Sequence, residues 1–204
     1  EQAQNLVDQV RAFDRSQRTI SIGCCAPAPL VELVSLVSQL YPEMAISSEM
    51  KDNQLLLDGL RNNLYQMIVL PYPVEDPDLL CFVSGEERLF FSLPPAHPLS
   101  GAKELSFQDI DGESVLLFSQ IGFWREVCRQ KMPLTRTLVQ TEQEDFDELV
   151  QASALPCFSS DWAIRQYGKP QNRIVIPISD PEGTAVYHFL CRREDRRKFS
   201  PLIG

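Results

Sequence analysis

The sequence predicts an α/β fold in which parallel strands alternate with helices, and two observations support this prediction. First, the hydrophobic periodicity of residues 18–50 changes from strand-like to helix-like and back again. Second, the same alternation returns in residues 114–158. Strand–helix–strand crossovers are the unit from which parallel sheets are built. We therefore expect two lobes, each with its own strands and covering helices.

The first crossover unit also provides the first candidate site. Residues 19–23 alternate polar and apolar side chains, which predicts a strand. Apolar residues then recur at helical spacing up to Tyr41, with Pro27 and Pro29 in the tolerated first turn. Residues 44–50 predict a second strand. Because ligands bind at the carboxyl ends of parallel strands, the loop after Gly23 is the first place to expect function.

The rest of the first half continues the alternation. Asn53 is the predicted N-cap of a helix reaching residue 62, and residues 66–70 predict a buried central strand. Residues 78–83 and 88–93 are predicted as two strands joined by a turn at residues 84–87.

The second half predicts the other lobe. A helical turn at 106–110, a buried strand at 114–118 and a helix ending near Lys131 come first. A strand at 135–140 precedes a helix at 143–152, whose Phe146, Leu149 and Val150 should point inward. Residues 155–158 predict a short strand, and Asp161 is the predicted N-cap of helix 162–167. Two late strands, 174–178 and 185–191, flank a turn at 180–183.

Composition limits the classes of function. The 204 residues are 44% hydrophobic, which is enough for a sizeable core, and the formal charge of −9 argues against direct binding of nucleic acid or an anionic membrane. One basic cluster, residues 192–198, is interleaved with acids and is predicted to be solvated. No apolar run has the roughly 20 residues of a membrane span. We expect a protein of the cytoplasm that does not enter a membrane.

Six cysteines without a CxxC pair predict reduced thiols. Cys24 and Cys25 also raise a redox or metal hypothesis, because a helix N-terminus lowers the pKa of a thiol. A zinc site would need further ligands, and His97 and His188 are predicted to be structural. The sequence has no catalytic signature, so we expect neither an enzyme nor a metal or cofactor site.

Several short motifs, in order, resemble the effector-binding domain of LysR-type transcriptional regulators. They are IxIG at residues 20–23, LYPE at 40–43, LLLDGLRN at 55–62 and LPPAHPLSGAKELSFQDIDGES at 93–114. The chain departs from the family pattern at Gln66, where an aspartate is usual, at residues 152–154, where glycines are usual, and at the Cys24–Cys25 pair.

The resemblance implies two Rossmann-like lobes of periplasmic-binding-protein type II, joined by two crossover strands. Residues 18–91 and 180–204 would form lobe I, residues 92–179 lobe II, and residues 1–17 the end of a linker helix. It also implies a homodimer or a dimer of dimers. DNA would be bound only through an N-terminal winged helix-turn-helix outside this sequence.

The same resemblance implies a small-molecule effector in the cleft between the lobes, and two loops that lead into helix N-termini favour an anionic one. The predicted ligand-binding residues from lobe I are Cys24, Cys25, Ala26 and Tyr72. Those from lobe II are Ser119, Gln120, Ile121, Gly122, Phe158 and Ser159. The alternative function is a solute-binding protein of a transporter with the same fold.

Overall fold

The computed structural model describes Val7, Val10, Phe13 and residues 17–203. The predicted linker helix therefore lies mostly outside the described residues. The chain divides into two compact units, and it passes from one to the other twice. Unit 1 contains the described residues up to Ser84 and those from His188, and unit 2 contains Gly85–Tyr187. The predicted boundaries, 91/92 and 179/180, lie seven and eight residues from these divisions, which both fall within long strands.

Unit 1 is a mixed sheet with two main helices. Strands β1 (Thr19–Cys24), β2 (Ala45–Met50) and β3 (Met67–Leu70) alternate with helices α1 (Pro27–Leu40) and α2 (Asn53–Arg61). Strand β1 pairs in parallel with both β2 and β3, as the crossover pattern predicts, and β3 pairs antiparallel with the late strand β9 (Thr184–Arg192). The chain ends in helix α7 (Ser200–Ile203).

Two glycines allow helix α2 to approach the sheet of unit 1. A Cβ on Gly23 would lie 2.5 Å from Leu56 Cδ2, and one on Gly59 would lie 2.5 Å from the Tyr65 ring. Tyr65 is buried between them and donates its hydroxyl to Glu49 at 2.5 Å. The end of β1 is therefore held in place by its close packing against Leu56 and Tyr65.

Unit 2 has its own strands and helices. Its elements are the long strand β4 (Leu79–Leu93), which begins in unit 1, then α3 (Phe107–Ile110), β5 (Ser114–Phe118), α4 (Trp124–Lys131), β6 (Arg136–Gln140), α5 (Gln143–Ala152), β7 (Cys157–Ser160), α6 (Asp161–Tyr167) and β8 (Ile174–Pro177). Strands β5 and β6 pair in parallel, whereas β7 and β8 both pair antiparallel with β4. The fully buried Phe91 packs against Phe107 and Phe158 in the core.

The predicted turn at residues 84–87 is wrong, because β4 continues through it as one strand. Gly85 has no positive φ there, and Glu87 is 6% exposed rather than at a solvated turn. The buried Glu87 carboxylate accepts hydrogen bonds from Tyr187 and Trp124. These two partners, distant in sequence, override the local turn signal.

Three smaller predictions also need correction. Asp52, not Asn53, is the N-cap of α2, and Ser160, not Asp161, caps α6 by accepting a hydrogen bond from the Ala163 backbone N–H. Leu149 is exposed, because α5 lies on the surface of unit 2 with none of its residues fully buried.

The basic cluster is not uniformly solvated either. Arg192 donates to the carbonyls of Leu60 and Tyr65 and pairs with Asp195, so its side chain is only 14% exposed. This arginine ties the end of β9 to helix α2. Among the described residues, no helix is both long and apolar enough to cross a membrane.

Candidate functional site

The first predicted loop lies at the carboxyl end of β1 in unit 1. Cys24, Cys25 and Ala26 have no exposed surface. The Cys25 N–H donates to the Val69 carbonyl at 3.2 Å, and the Lys51 N–H donates to the Cys24 carbonyl at 3.3 Å. These backbone groups already have partners in the neighbouring strands. The loop is therefore a closed wall: its side chains are buried, and its Cys24 carbonyl and Cys25 N–H are bonded to other residues of unit 1.

Burial also changes the chemistry expected of Cys24. It raises the pKa of the Cys24 thiol to about 12, against the smaller opposing effect of a hydrogen bond with the Val69 backbone. The helix N-terminus was expected to lower this pKa, but desolvation of the thiolate is the larger effect. A protonated thiol is a poor nucleophile, so burial disfavours thiol chemistry at Cys24.

Helix α1 offers fewer anion-binding groups than the sequence analysis assumed. Pro27 and Pro29 lie in its first turn, and neither has a backbone N–H. Ala26 is the N-cap and makes no side-chain hydrogen bond. The end of this helix is thus a weak site for a carboxylate, despite the favourable dipole.

Tyr72 lies at the same edge of unit 1, two residues after β3. It is 39% exposed, and its pKa is raised by partial burial and by the charge that a Cys25 thiolate would carry. The two side chains are therefore close neighbours. Tyr72 adds an aromatic surface and a neutral phenol hydroxyl to the otherwise closed wall.

The second predicted loop, residues 119–122, lies at the carboxyl end of β5 in unit 2. The Ser119 N–H donates to the Gln140 carbonyl at 2.9 Å, which ties the loop to the end of β6. The Ser119 hydroxyl oxygen is buried and has no hydrogen-bond partner among the described residues. Burying a hydroxyl without a hydrogen-bond partner lowers the stability of the fold. A ligand that forms a hydrogen bond with this hydroxyl would therefore bind more tightly.

The loop leads directly into helix α4. Gly122 has a φ of 63°, the left-handed region that glycine adopts without strain, and Phe123 is the N-cap. In the described part of the chain, the Phe123 and Trp124 backbone N–H groups donate to no protein acceptor. Gln120 is exposed, whereas Ile121 and Gly122 are half-buried. This loop presents unused donors at the N-terminus of a helix that has no proline in its first turn.

The last two predicted residues lie on β7, which pairs with β4. Ser159 is opposite Phe90 and is half-buried. The Phe158 ring lies 5.1 Å from the Phe91 ring, centroid to centroid, and also lines a cavity beneath helix α4. Phe158 is thus part of the interior of unit 2.

Sequence analysis missed two polar side chains that support these loops. Glu87 accepts a hydrogen bond from Trp124, which lies in the first turn of α4. The sequence analysis did not single out Glu87, because residues 84–87 were predicted to form a solvated turn. Gln66, noted only as a departure from the family pattern, is 8% exposed, and its side-chain oxygen accepts from the Ser21 N–H at 2.6 Å. An amide oxygen here holds β1 against β3.

His97 has the structural role predicted for it. Its Nδ1 accepts from the Leu99 N–H at 3.1 Å, so its Nε2–H donates to Glu113 at 2.9 Å. His188 lies on β9, opposite Leu70 of β3.

Comparison with known proteins assigns this architecture to a family. The model of the LysR substrate binding domain matches residues 14–201. The transcriptional dual regulator GltC of Bacillus subtilis is 25% identical over 145 residues, covering 67% of this chain and 48% of GltC. The regulator CbbR of Cereibacter sphaeroides is 26% identical over 110 residues, covering 54% of this chain and 34% of CbbR. The chain spans half or less of these curated relatives.

Solved structures show the same fold. The reduced form of the OxyR regulatory domain from Pseudomonas aeruginosa superposes with a TM-score of 0.67 at 17% identity, covering 91% of this chain and 94% of that one. The BenM effector binding domain with its effector benzoate gives a TM-score of 0.61 at 17% identity, covering 92% and 94%. These neighbours have the periplasmic-binding-protein type II fold. This chain therefore belongs to the LysR substrate-binding domain family, the effector-binding domain of LysR-type transcriptional regulators.

Proposed function

We propose that this domain binds a small anionic effector whose charged group lies against residues 119–122 of unit 2. Ser119 and the free N–H groups at the start of α4 would bind the charge. Gln120, Ile121, Gly122 and Ser159 would shape the site on unit 2. The other proposed ligand-binding residues have apolar or neutral side chains. They are Cys24, Cys25, Ala26 and Tyr72 of unit 1 and Phe158 of unit 2.

The observation that carries this proposal is the buried Ser119 hydroxyl, which has no partner among the described residues and lies near the N-terminus of α4. Helix N-termini bind carboxylates and phosphates because their first N–H groups lack intrahelical acceptors.

A thermal-shift screen tests the proposal. Carboxylates and phosphate esters are compared with their uncharged amides or parent alcohols at equal ionic strength. A ligand at 100 times its Kd should stabilise the domain by about 2.7 kcal/mol, and its uncharged counterpart should not. Equal stabilisation by charged and uncharged partners would contradict the anionic assignment.

We also propose that the domain forms dimers through helix α1. Ala28, Leu33 and Val37 of this helix are buried, whereas Val31, Leu36 and Leu40 leave 51%, 44% and 38% of their surface exposed. An apolar second face on a surface helix supports a protein contact. Sedimentation should give a dimer at tens of micromolar protein, and Leu36→Glu should shift it towards monomer. A monomer for the unaltered domain would contradict this.

For the whole protein we propose control of transcription in the cytoplasm. The relatives GltC and CbbR are transcriptional regulators, and the segments that match this chain make up 48% and 34% of their lengths. With its net charge of −9, this domain is poorly suited to DNA. DNA binding is assigned to a separate domain, and effector binding would act by favouring one arrangement of the dimer over another. A transporter-type solute-binding role has no support from these relatives.

A further inference from the structure

Unit 2 contains a cavity that belongs to neither predicted loop. It lies between helix α4 and the face of strands β5 and β6, and its volume is about 340 Å³. Ligand pockets range from about 300 to 1,000 Å³. At about 30 Å³ for each water-sized group, the cavity has room for about ten non-hydrogen atoms.

The cavity exists because small side chains lie where α4 crosses the sheet. Val115 and Leu117 of β5 face α4, and their partners across the pairing with β6 are Thr137 and Val139. These short β-branched side chains on β6 do not reach the helix. The floor is apolar and well buried, since Val115 is 0% and Leu117 6% exposed. An apolar ligand body could replace the missing packing contacts.

Polar groups without protein partners lie at the rim. Arg125 has no ion pair among the described residues, and the Thr137 hydroxyl makes no hydrogen bond among them. Arg129 also lines the cavity, but it forms two hydrogen bonds with the Glu126 carboxylate, at 2.6 and 2.7 Å. Arg125 is therefore the guanidinium that remains available to an anion.

The inner wall carries no opposing charge. Cys128 is 6% exposed, and burial raises the pKa of its thiol to about 12, so the thiol is neutral at pH 7. Met132 and Phe158 complete an apolar, polarizable interior. The cavity thus joins an apolar interior to a single uncompensated positive charge at its entrance.

We propose that this cavity is a second ligand site, which binds a small monocarboxylate with an aromatic or branched aliphatic body. The body fills the space under α4, the carboxylate pairs with Arg125, and the Thr137 hydroxyl donates to it.

Calorimetric titration of the folded domain with phenylacetate, and with the uncharged phenylacetamide, tests the proposal. Phenylacetate should bind at one site at least about tenfold more tightly than the amide. Arg125→Gln should weaken phenylacetate binding by about tenfold and leave the amide unchanged. Thr137→Leu should fill the cavity and remove binding of both compounds. Both positions are exposed, so neither change should prevent folding.

Arg129→Gln is the matched control, because it removes a positive charge that lies on the same helix but is already neutralised by Glu126. The affinity for phenylacetate should stay within about twofold of the unaltered domain. Ser119→Ala separates this site from the proposed effector site and should leave phenylacetate affinity unchanged. The proposal fails if phenylacetate does not bind saturably, or if binding survives Arg125→Gln and Thr137→Leu. Loss of binding in Ser119→Ala alone would instead assign the acid to residues 119–122.

Discussion

The two predicted effector loops follow equivalent strand ends, yet they differ in what they offer a ligand. Residues 24–26 of unit 1 are fully buried, the Cys25 N–H donates to the Val69 carbonyl, and the Cys24 carbonyl accepts from the Lys51 N–H. In unit 2, the Ser119 hydroxyl and the N–H groups of Phe123 and Trp124 have no protein partner among the described residues. The same crossover topology is therefore followed by a fully buried loop in one unit and by a loop with a polar group that no protein group pairs with, among the described residues, in the other.

The difference arises from a few residues rather than from the fold. Pro27 and Pro29 have no N–H to donate in the first turn of α1, whereas α4 follows Gly122, whose φ is 63°, and has no proline in its first turn. Substitutions in the wall should thus change stability, and substitutions in the polar loop should change ligand binding.

The largest effect is expected at the base of the unit 1 wall. Gly23→Ala would place a Cβ 2.5 Å from Leu56 Cδ2 and 3.2 Å from the Tyr65 ring, and both side chains are buried. Overpacking of this kind should lower the free energy of unfolding by about 2–3 kcal/mol, measured by urea denaturation. Gly85→Ala, where the added Cβ meets nothing within 4 Å, is the control and should change little. Equal losses would show that the wall is not close-packed.

The next effect is a pH dependence caused by Cys24. Its pKa is about 12 in the folded chain against 9.0 for an ordinary thiol, so the unfolded chain loses the proton first as pH rises. The stabilising contribution is complete below pH 9 and disappears as pH approaches 12. Between pH 8.5 and 10.5, the unaltered domain should lose about 2 kcal/mol more stability than Cys24→Ala. Identical losses would mean that the folded thiol ionises normally.

A smaller effect is expected in the polar loop. Gly122 has a φ of 63°, so Gly122→Ala should cost about 1–2 kcal/mol of stability. Because the same turn orients the N–H groups of Phe123 and Trp124, affinity for an anionic effector should fall as well. Gly101→Ala, at an open position without a positive φ, should alter neither quantity. If Gly122→Ala left the affinity unchanged, the conformation of this turn would not be needed to bind the anionic effector.

The fold could be predicted from the sequence wherever hydrophobic periodicity was strong. The crossover of β1, α1 and β2 lies within about a residue of its predicted limits, as does β5. Local signals failed where distant partners decide the structure. Ser84 to Glu87 has turn composition, but the contacts of Glu87 with Trp124 and Tyr187 keep β4 extended.

The candidate site was less predictable, because recognition depends on which polar groups remain unpaired. Cys24 and Ser119 both follow a buried strand and precede a helix. The local sequence does not show that the Cys24 thiol becomes fully buried and neutral. Nor does it show that the Ser119 hydroxyl stays buried without a partner in the described part of the chain. Such differences depend on neighbouring strands and helices that are distant in sequence.

The most direct test of the central claim is calorimetric comparison of the domain and Ser119→Ala with the strongest anionic ligand from the screen. Removing a buried hydroxyl without a partner should leave the stability of the free domain unchanged, or raise it by about 1 kcal/mol. Affinity should fall about tenfold, whereas Ser47→Ala, at an exposed position on β2, should change neither quantity. Unchanged affinity in Ser119→Ala would contradict recognition by the polar loop of unit 2.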